Sequence, residues 1–314
     1  QLFEELQQTL DTDPEVILTS DQRLTTQTAV LRELETIRTV LEGRGQVGAI
    51  ASEDWVADVL ENQGLTQGQY EGILLAATTR DLVIAWQGVA GAGKSYALNQ
   101  VRRIAEAQGY TVRGFAPSAE AAKSLGESAQ IQQTETVAAL LCAQPQEAAS
   151  PFPEIWVVDE AGLLSAKDAL ALLPHAEEQQ ARVILVGDTR QLSAVEAGNP
   201  FKSLQQAGMA TAYLSQSLRQ KHQQIKAGVN LIAEGKIADG IQQLKPYIHQ
   251  VRSEEARAQA IAHDYLALTP EERQKTLLLA GTNRERLAIT QAIRAGLKLE
   301  GQLGQSVLMR RLKT

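Results

Sequence analysis

The chain has 314 residues and a formal net charge of −7, with 44% hydrophobic and 21% charged residues. That composition supplies ample apolar material for a globular core and excludes wholesale disorder; a single cysteine, Cys142, excludes an internal disulfide framework. The acidic balance argues against indiscriminate nucleic-acid binding, and aromatics at 4% allow only a small stacking platform.

The lone thiol fits a reducing cytoplasm, and no apolar run approaches the roughly 18 residues of a membrane helix, so no membrane insertion is expected. The opening QLFEELQQTL is acidic and amphipathic and starts at Gln1 rather than Met, which suggests a piece of a longer polypeptide. Residues 1 to about 64 read as helical. Leu24, Val30, Leu31, Leu34, Ile37, Val40 and Leu41 recur at helical spacing up to Gly43, and Ser52 caps a second helix through Trp55, Val56, Val59 and Leu60.

From Asp81 the pattern changes to brief apolar runs separated by helical segments. LVIAW (82–86), TVRGF (111–115), IWVV (155–158) and RVILV (182–186) read as buried parallel strands, with Ala97–Ala107 as a helix between the first two. The Pro- and Gln-rich stretch Gln144–Pro153 reads as a connection. AYLSQ (212–216), a helix through Ile225–Ala233, TLLLAG (276–281) and a helix to Leu297 continue the alternation. Trp86 and Trp156 fall inside buried strands and Trp55 in the helical prefix, so all three are assigned to the core.

Between the first strand and its helix stands Gly88-Val89-Ala90-Gly91-Ala92-Gly93-Lys94-Ser95, a full match to G-x-x-x-x-G-K-[ST]. Its glycines allow successive backbone N–H groups to curl around phosphate oxygens, and the helix N-terminus adds partial positive charge. Lys94 is expected at the β- and γ-phosphates and Ser95 at Mg²⁺; Tyr96, the next residue, completes the nucleotide-binding set. Ile155-Trp156-Val157-Val158-Asp159-Glu160 then ends a strand in two carboxylates, expected beside the phosphate loop. Asp159 is assigned to Mg²⁺ and Glu160 to the attacking water, a pairing that points to hydrolysis of ATP.

Val186-Gly187-Asp188-Thr189-Arg190-Gln191-Leu192 resembles motif III of superfamily 1 helicases. Leu65-Thr66-x-x-Gln69 resembles the Q-motif, which would set Gln69 on adenine N6 and N7. Phe115-Ala116-Pro117-Ser118-Ala119 is similar to motif Ia, and Thr134-x-Thr136-Val137-x-x-Leu140-Leu141 to motif Ib, without the basic position common there. Leu214-Ser215-Gln216-Ser217-Leu218-Arg219-Gln220 resembles motif IV, which would make Arg219 the finger on the γ-phosphate. The words APSAEAAKSL and GDTRQLSAVEAGNPF are nearest the RecD-like branch, and Glu42–Val47 resembles the helical region ahead of the motor in conjugative relaxases of the TraI/TrwC type.

The resemblance implies an α/β chain: a RecA-like P-loop NTPase domain with a parallel sheet over 65–210, preceded by a small helical domain over 1–64. An incomplete second RecA-like domain would follow over 211–314, since nothing after Leu279 resembles motifs V and VI. It further implies an ATP-dependent motor moving 5′→3′ along single-stranded DNA, with Gln191 coupling nucleotide to strand. Pro117, Ser118, Ala119 and Thr136 would contact the DNA, and Lys123 and Arg113 are candidates for electrostatic assistance. A type IV secretion coupling protein is a candidate partner. A helicase-like strand-binding or secretion-docking module without motor activity is the alternative, and a P-loop ATPase acting on something other than DNA a third reading.

Overall fold

The computed structural model describes residues 13–18, 24–143, 153–191, 198–218 and 222–304. The prefix begins with a short antiparallel pair, β1 (Val16–Leu18) and β2 (Leu24–Thr26). Leu24 therefore lies in a strand and not in the expected helix. The helix starts later because Thr26 is its N-cap, its side chain accepting from the Ala29 N–H. Helix α1 (Gln27–Glu42) and helix α2 (Glu53–Leu60) follow, the latter capped by Ser52 as its sequence indicates. Helix α3 (Gln67–Thr78) opens with a capping box between Thr66 and Gln69.

Strand β3 (Val83–Gly88), helix α4 (Lys94–Ala107), strand β4 (Thr111–Ala116), helix α5 (Ala119–Ala129), strand β5 (Gln133–Thr136) and helix α6 (Val137–Cys142) form the first half of the central layer. Strand β6 (Glu154–Val158), a 3-10 turn at Ala161–Leu163, helix α7 (Ala166–Glu178), strand β7 (Arg182–Gly187), helix α8 (Pro200–Gln206) and strand β8 (Thr211–Leu214) complete it. The six strands β3–β8 make one parallel sheet in the order β5-β4-β6-β7-β3-β8. Alternating side chains feed two cores. Ile84, Trp86, Ile155, Val157, Ile184 and Val186 pack with α2–α5, while Val83, Ala85, Trp156, Val158, Val183 and Leu185 pack with α1 and α6–α8. A sheet buried on both faces explains why its strands read as unbroken apolar runs.

The prefix is part of this body. Val40 of α1 is buried with α7 and α8 on one face, and Val56 and Leu60 of α2 are buried with α3 on the other. Nor does the chain divide at residue 210, because β8 pairs in parallel with β3. The compact units are instead Gln1–Val229 and Asn230–Thr314, the break falling inside helix α9 (Gln223–Ala233). The expected boundaries at 64 and 210 thus give way to a single break at 229/230, since those segments bury their apolar residues against the same sheet.

In the second unit, helices α10 (Ile237–Leu244), α11 (Glu254–Leu266), α12 (Pro270–Gln274) and α13 (Asn283–Leu299) are connected by irregular segments and a short 3-10 turn. Helices α11 and α13 pack together, pinned by Arg257–Glu285 at 2.6 Å and Arg284–Glu254 at 2.8 Å. The expected strand over 276–281 does not form: Leu277 and Leu279 are 80% and 82% exposed. A parallel strand requires a neighbour, and the described residues of this unit contain none. No helix among the described residues is long and apolar enough to cross a membrane.

Candidate functional site

Three sequence signals meet at the carboxyl end of the sheet, where β3, β7 and β6 stop. The order corrects one expectation. The acidic pair of β6 is not directly beside the phosphate loop of β3, because β7 and its Gly187-Asp188 turn lie between them. The turn resembling motif III thus separates the acidic pair from the phosphate loop.

The loop 88–95 is shaped for backbone contact alone. Gly91 and Gly93 have φ of +73° and +72°, a left-handed conformation that side chains disfavour. A Cβ at Gly93 would lie 2.4 Å from Gln69 Nε2, and one at Gly88 would lie 2.7 Å from Lys94 Cδ. Helix α4 begins with Gly93 as a cap that supplies no side-chain hydrogen bond, leaving its first N–H groups open to an anion. The Lys94 ammonium donates to the Gly88 carbonyl at 2.8 Å, folded back along the loop. Tyr96 donates its hydroxyl to the Gln63 carbonyl at 2.9 Å and tethers the start of α4 to the prefix. The cradle fits a polyphosphate.

Asp159 and Glu160 follow β6 directly. The Asp159 N–H donates to the Phe115 carbonyl at 2.8 Å, and the Asp159 carboxylate accepts from the Glu160 N–H at 2.9 Å. Burial raises the Asp159 pKa above the usual carboxylate range; the Glu160 hydrogen bond and the Lys94 charge pull the other way. Glu160 is exposed and sits at φ 54°, ψ 35°, a left-handed backbone for a side chain with no local need of it. The turn is held by tight packing, since a Cβ at Gly187 would lie 2.9 Å from the Gly162 N. A desolvated carboxylate beside a lysine, with Ser95 at the start of α4, is a donor set suited to a hard divalent cation such as Mg²⁺.

That desolvation predicts a pH dependence. The folded state holds the Asp159 proton more tightly than the unfolded state, so the ionised carboxylate is a destabilising burden above its raised pKa. Asp159→Asn is therefore expected to raise the melting temperature of the nucleotide-free protein at neutral pH. If the Asp159 carboxylate holds the cation, wild-type affinity for Mg-ATP falls on acidification before ordinary carboxylates titrate. Calorimetry across the acidic range, with Asp159→Asn as the flat control, checks both signs.

Gln69, expected at adenine, is buried against the loop. Its Oε1 accepts from the Thr66 N–H at 2.9 Å, while its Nε2 donates to the carbonyls of Ala92 at 2.9 Å and Gly93 at 3.4 Å. At 2% exposure the amide is buried, with both of its ends hydrogen-bonded inside the protein and its Nε2 braced against the loop. The T-x-x-Q spacing that resembles a base-reading motif is also a capping box, and local hydrogen bonding decides its use here. Gln69→Ala should loosen the loop, weakening nucleotide affinity several-fold by removing bonds worth about 1 kcal/mol each; titration with a fluorescent ATP analogue reads this.

Motif III is ordered around Asp188. Its carboxylate accepts from Gln191 Nε2 at 3.2 Å, the Arg190 N–H at 3.2 Å and Gln87 Nε2 at 2.7 Å. Burial pushes this acid up, but the donors from Gln191 and Arg190 together outweigh it and hold its pKa below the usual value. The place of Gln87 in this network was not legible; the one available signal is a polar side chain ending an apolar strand beside the first loop glycine.

The proposed strand-contacting residues lie further along the same edge. Pro117, Ser118 and Ala119 are exposed at the start of α5, and the Ser118 hydroxyl caps that helix by accepting from the Ala121 N–H. Thr136, at the end of the neighbouring β5, caps α6 in the same way. Arg113 is not free to assist: it pairs with Glu135 at 2.6 Å and Glu154 at 3.4 Å and lies over the Phe115 and Trp156 rings. Lys123 is exposed with Glu127 3.9 Å away. Trp86 and Trp156 are fully buried, and Trp55 packs against the core. Arg219 lies outside the described residues. The segment before it is docked on the loop, Ser217 donating to the Ala90 carbonyl at 3.1 Å and the Leu218 N–H to the Gly91 carbonyl at 2.7 Å.

The chain is 36% identical over 189 residues to the ATP-dependent RecD2 DNA helicase of Deinococcus radiodurans, covering 59% of this chain and 26% of that protein. It is 26% identical over 235 residues to the conjugal transfer protein TraA of Rhizobium radiobacter, covering 73% of this chain and 21% of that one. The multifunctional conjugation protein TraI of Escherichia coli K12 is 24% identical across 88% of this chain and 18% of its own length. The chain thus spans a quarter or less of the length of most of these relatives and about a quarter of RecD2. Residues 64–253, more than half the chain, match the AAA domain family AAA_30, and the chain belongs to that family, with a RecD2 helicase and the conjugative TraA and TraI proteins among its relatives.

Proposed function

We propose that this chain is the nucleotide-hydrolysing part of a motor that uses Mg-ATP to move along single-stranded DNA, in the cytoplasm, within a larger conjugation protein. The observation that carries the reading is the meeting of phosphate loop, acidic pair and Gln191 turn at one edge of one parallel sheet. Backbone N–H groups from Gly88 to Gly93, with Val89, Ala90, Gly91 and Ala92 between, cradle the phosphates. Lys94 swings from the Gly88 carbonyl to the β- and γ-phosphates. Ser95 and Asp159 hold the magnesium, which when bound neutralises charge developing on the phosphate oxygens. Glu160 orients and deprotonates water, a contribution of about 10²–10⁴ in rate for a positioned base. Gln191 reports phosphate occupancy to the strand, and Arg219 approaches the γ-phosphate from the segment anchored by Leu218.

DNA phosphates lie across Pro117, Ser118, Ala119 and Thr136. With Arg113 committed to Glu135 and Glu154, recognition there rests on backbone N–H groups and hydroxyls, a mode with little sequence preference. The type IV secretion coupling protein belongs to this proposal as a partner of the larger protein. ATP hydrolysis by the full-length protein, with and without single-stranded DNA, is the test. Turnover raised about tenfold or more by DNA is the expected result, in the range that completed electrostatic stabilisation provides. Turnover indifferent to DNA would overturn the motor reading in favour of an ATPase with another substrate, and DNA binding without turnover would favour the docking module.

A further inference from the structure

Gln87 has no assigned role, yet it stands where the phosphate loop, the motif III turn and helix α8 converge. Its side chain is 9% exposed at the end of β3, one residue before Gly88 and opposite Gly187 in the parallel register. Nε2 donates to Asp188 Oδ1 at 2.7 Å; Oε1 accepts from the Thr189 N–H at 3.1 Å and from Gln205 Nε2 at 3.4 Å. Asp188 in turn accepts from Gln191. A polar chain therefore runs from Gln87 through Asp188 to Gln191, and the backbone joins its start to Gly88, whose carbonyl receives the Lys94 ammonium. The amide meets both demands at this position, its Nε2 donating to a carboxylate while its Oε1 accepts a backbone N–H.

We propose that Gln87 is a positioning residue that couples occupancy of the phosphate loop to the turn carrying Gln191. The inference rests on the nucleotide-site reading above and adds a route for its signal. When Lys94 leaves the Gly88 carbonyl for a phosphate, the end of β3 loses a partner on one side and keeps its clasp on Asp188 through Gln87. The resulting adjustment is delivered to residues 188–191 because Gln87 holds both the side chain of Asp188 and the backbone of Thr189. Gly187, packed against Gly162 of the turn after Glu160, sets the same point against the acidic pair.

The test is amide hydrogen exchange of residues 189–191 in the 314-residue chain, with and without Mg-ATP, alongside a nucleotide titration and a melting curve. In the wild type, Mg-ATP should change exchange at these amides by about tenfold, the scale of a local opening shifted by one good hydrogen bond. Gln87→Leu should retain nucleotide affinity and cooperative melting while losing that response. Gln87→Glu, of the same shape but bringing a carboxylate against Asp188, should lose it too and serves should the leucine variant not fold. A response that persists in a folded, nucleotide-binding variant overturns the coupling alone. A wild type that binds nucleotide with no change at 189–191 also overturns it. A wild type that binds no nucleotide overturns the nucleotide-site reading and the coupling together.

Discussion

Lys94→Ala is expected to weaken Mg-ATP binding about a hundredfold, measured by calorimetry on the nucleotide-free protein. The ammonium carries the concentrated positive charge of the loop, while the rest of the cradle is backbone N–H. Two charge-assisted hydrogen bonds to phosphate oxygens contribute about 3 kcal/mol, and each 1.4 kcal/mol is a factor of ten in affinity. In the nucleotide-free chain the same ammonium makes one bond, to the Gly88 carbonyl at 2.8 Å, so the substitution should leave the melting temperature nearly unchanged. That contrast separates loss of a ligand contact from loss of the fold. Unchanged affinity would mean the loop does not hold phosphate.

Glu160→Gln should leave Mg-ATP affinity within a few-fold of wild type and reduce turnover of the full-length protein by about 10²–10⁴. An amide of the same size cannot take a proton from water, and Glu160 makes no side-chain bond in the described structure whose loss would disturb the turn. The backbone offers a second, independent variant. Because Glu160 holds φ 54°, glycine at this position relieves a left-handed strain while adding unfolded-state entropy, two effects of about 1 kcal/mol each. Glu160→Gly is therefore expected to melt close to wild type and to be as inactive as Glu160→Gln. Normal hydrolysis by either variant would remove Glu160 from the role of base.

The phosphate loop was legible because its chemistry is local. Glycines with positive φ, a lysine and a hydroxyl must be contiguous for backbone N–H groups to wrap one ligand, so their spacing is the site. The strands were legible for a similar reason: a sheet buried on both faces leaves uninterrupted apolar runs, and LVIAW, TVRGF, IWVV and RVILV each lie on an observed strand. β5 escaped notice because QTET is an edge strand with polar letters, which apolarity cannot reveal. TLLLAG shows the opposite case, an apolar word whose pairing partner is missing among the described residues of its unit.

Roles that depend on which groups meet across the sheet were not local and could not be read from spacing. The T-x-x-Q words at 66–69 fit a base reader and a capping box equally well, and only the approach of Ala92 and Gly93 committed Gln69 to the loop. Arg113 looked available for DNA until β5 and β6 brought Glu135 and Glu154 to it. Sequence alone singled out the candidate residues for a triphosphate and its metal, because those demands fall within single short segments. Strand order settled the rest: by inserting β7 between β3 and β6 and closing Gln87 onto Asp188, it fixed how the segments act on one another, through contacts between residues about a hundred positions apart.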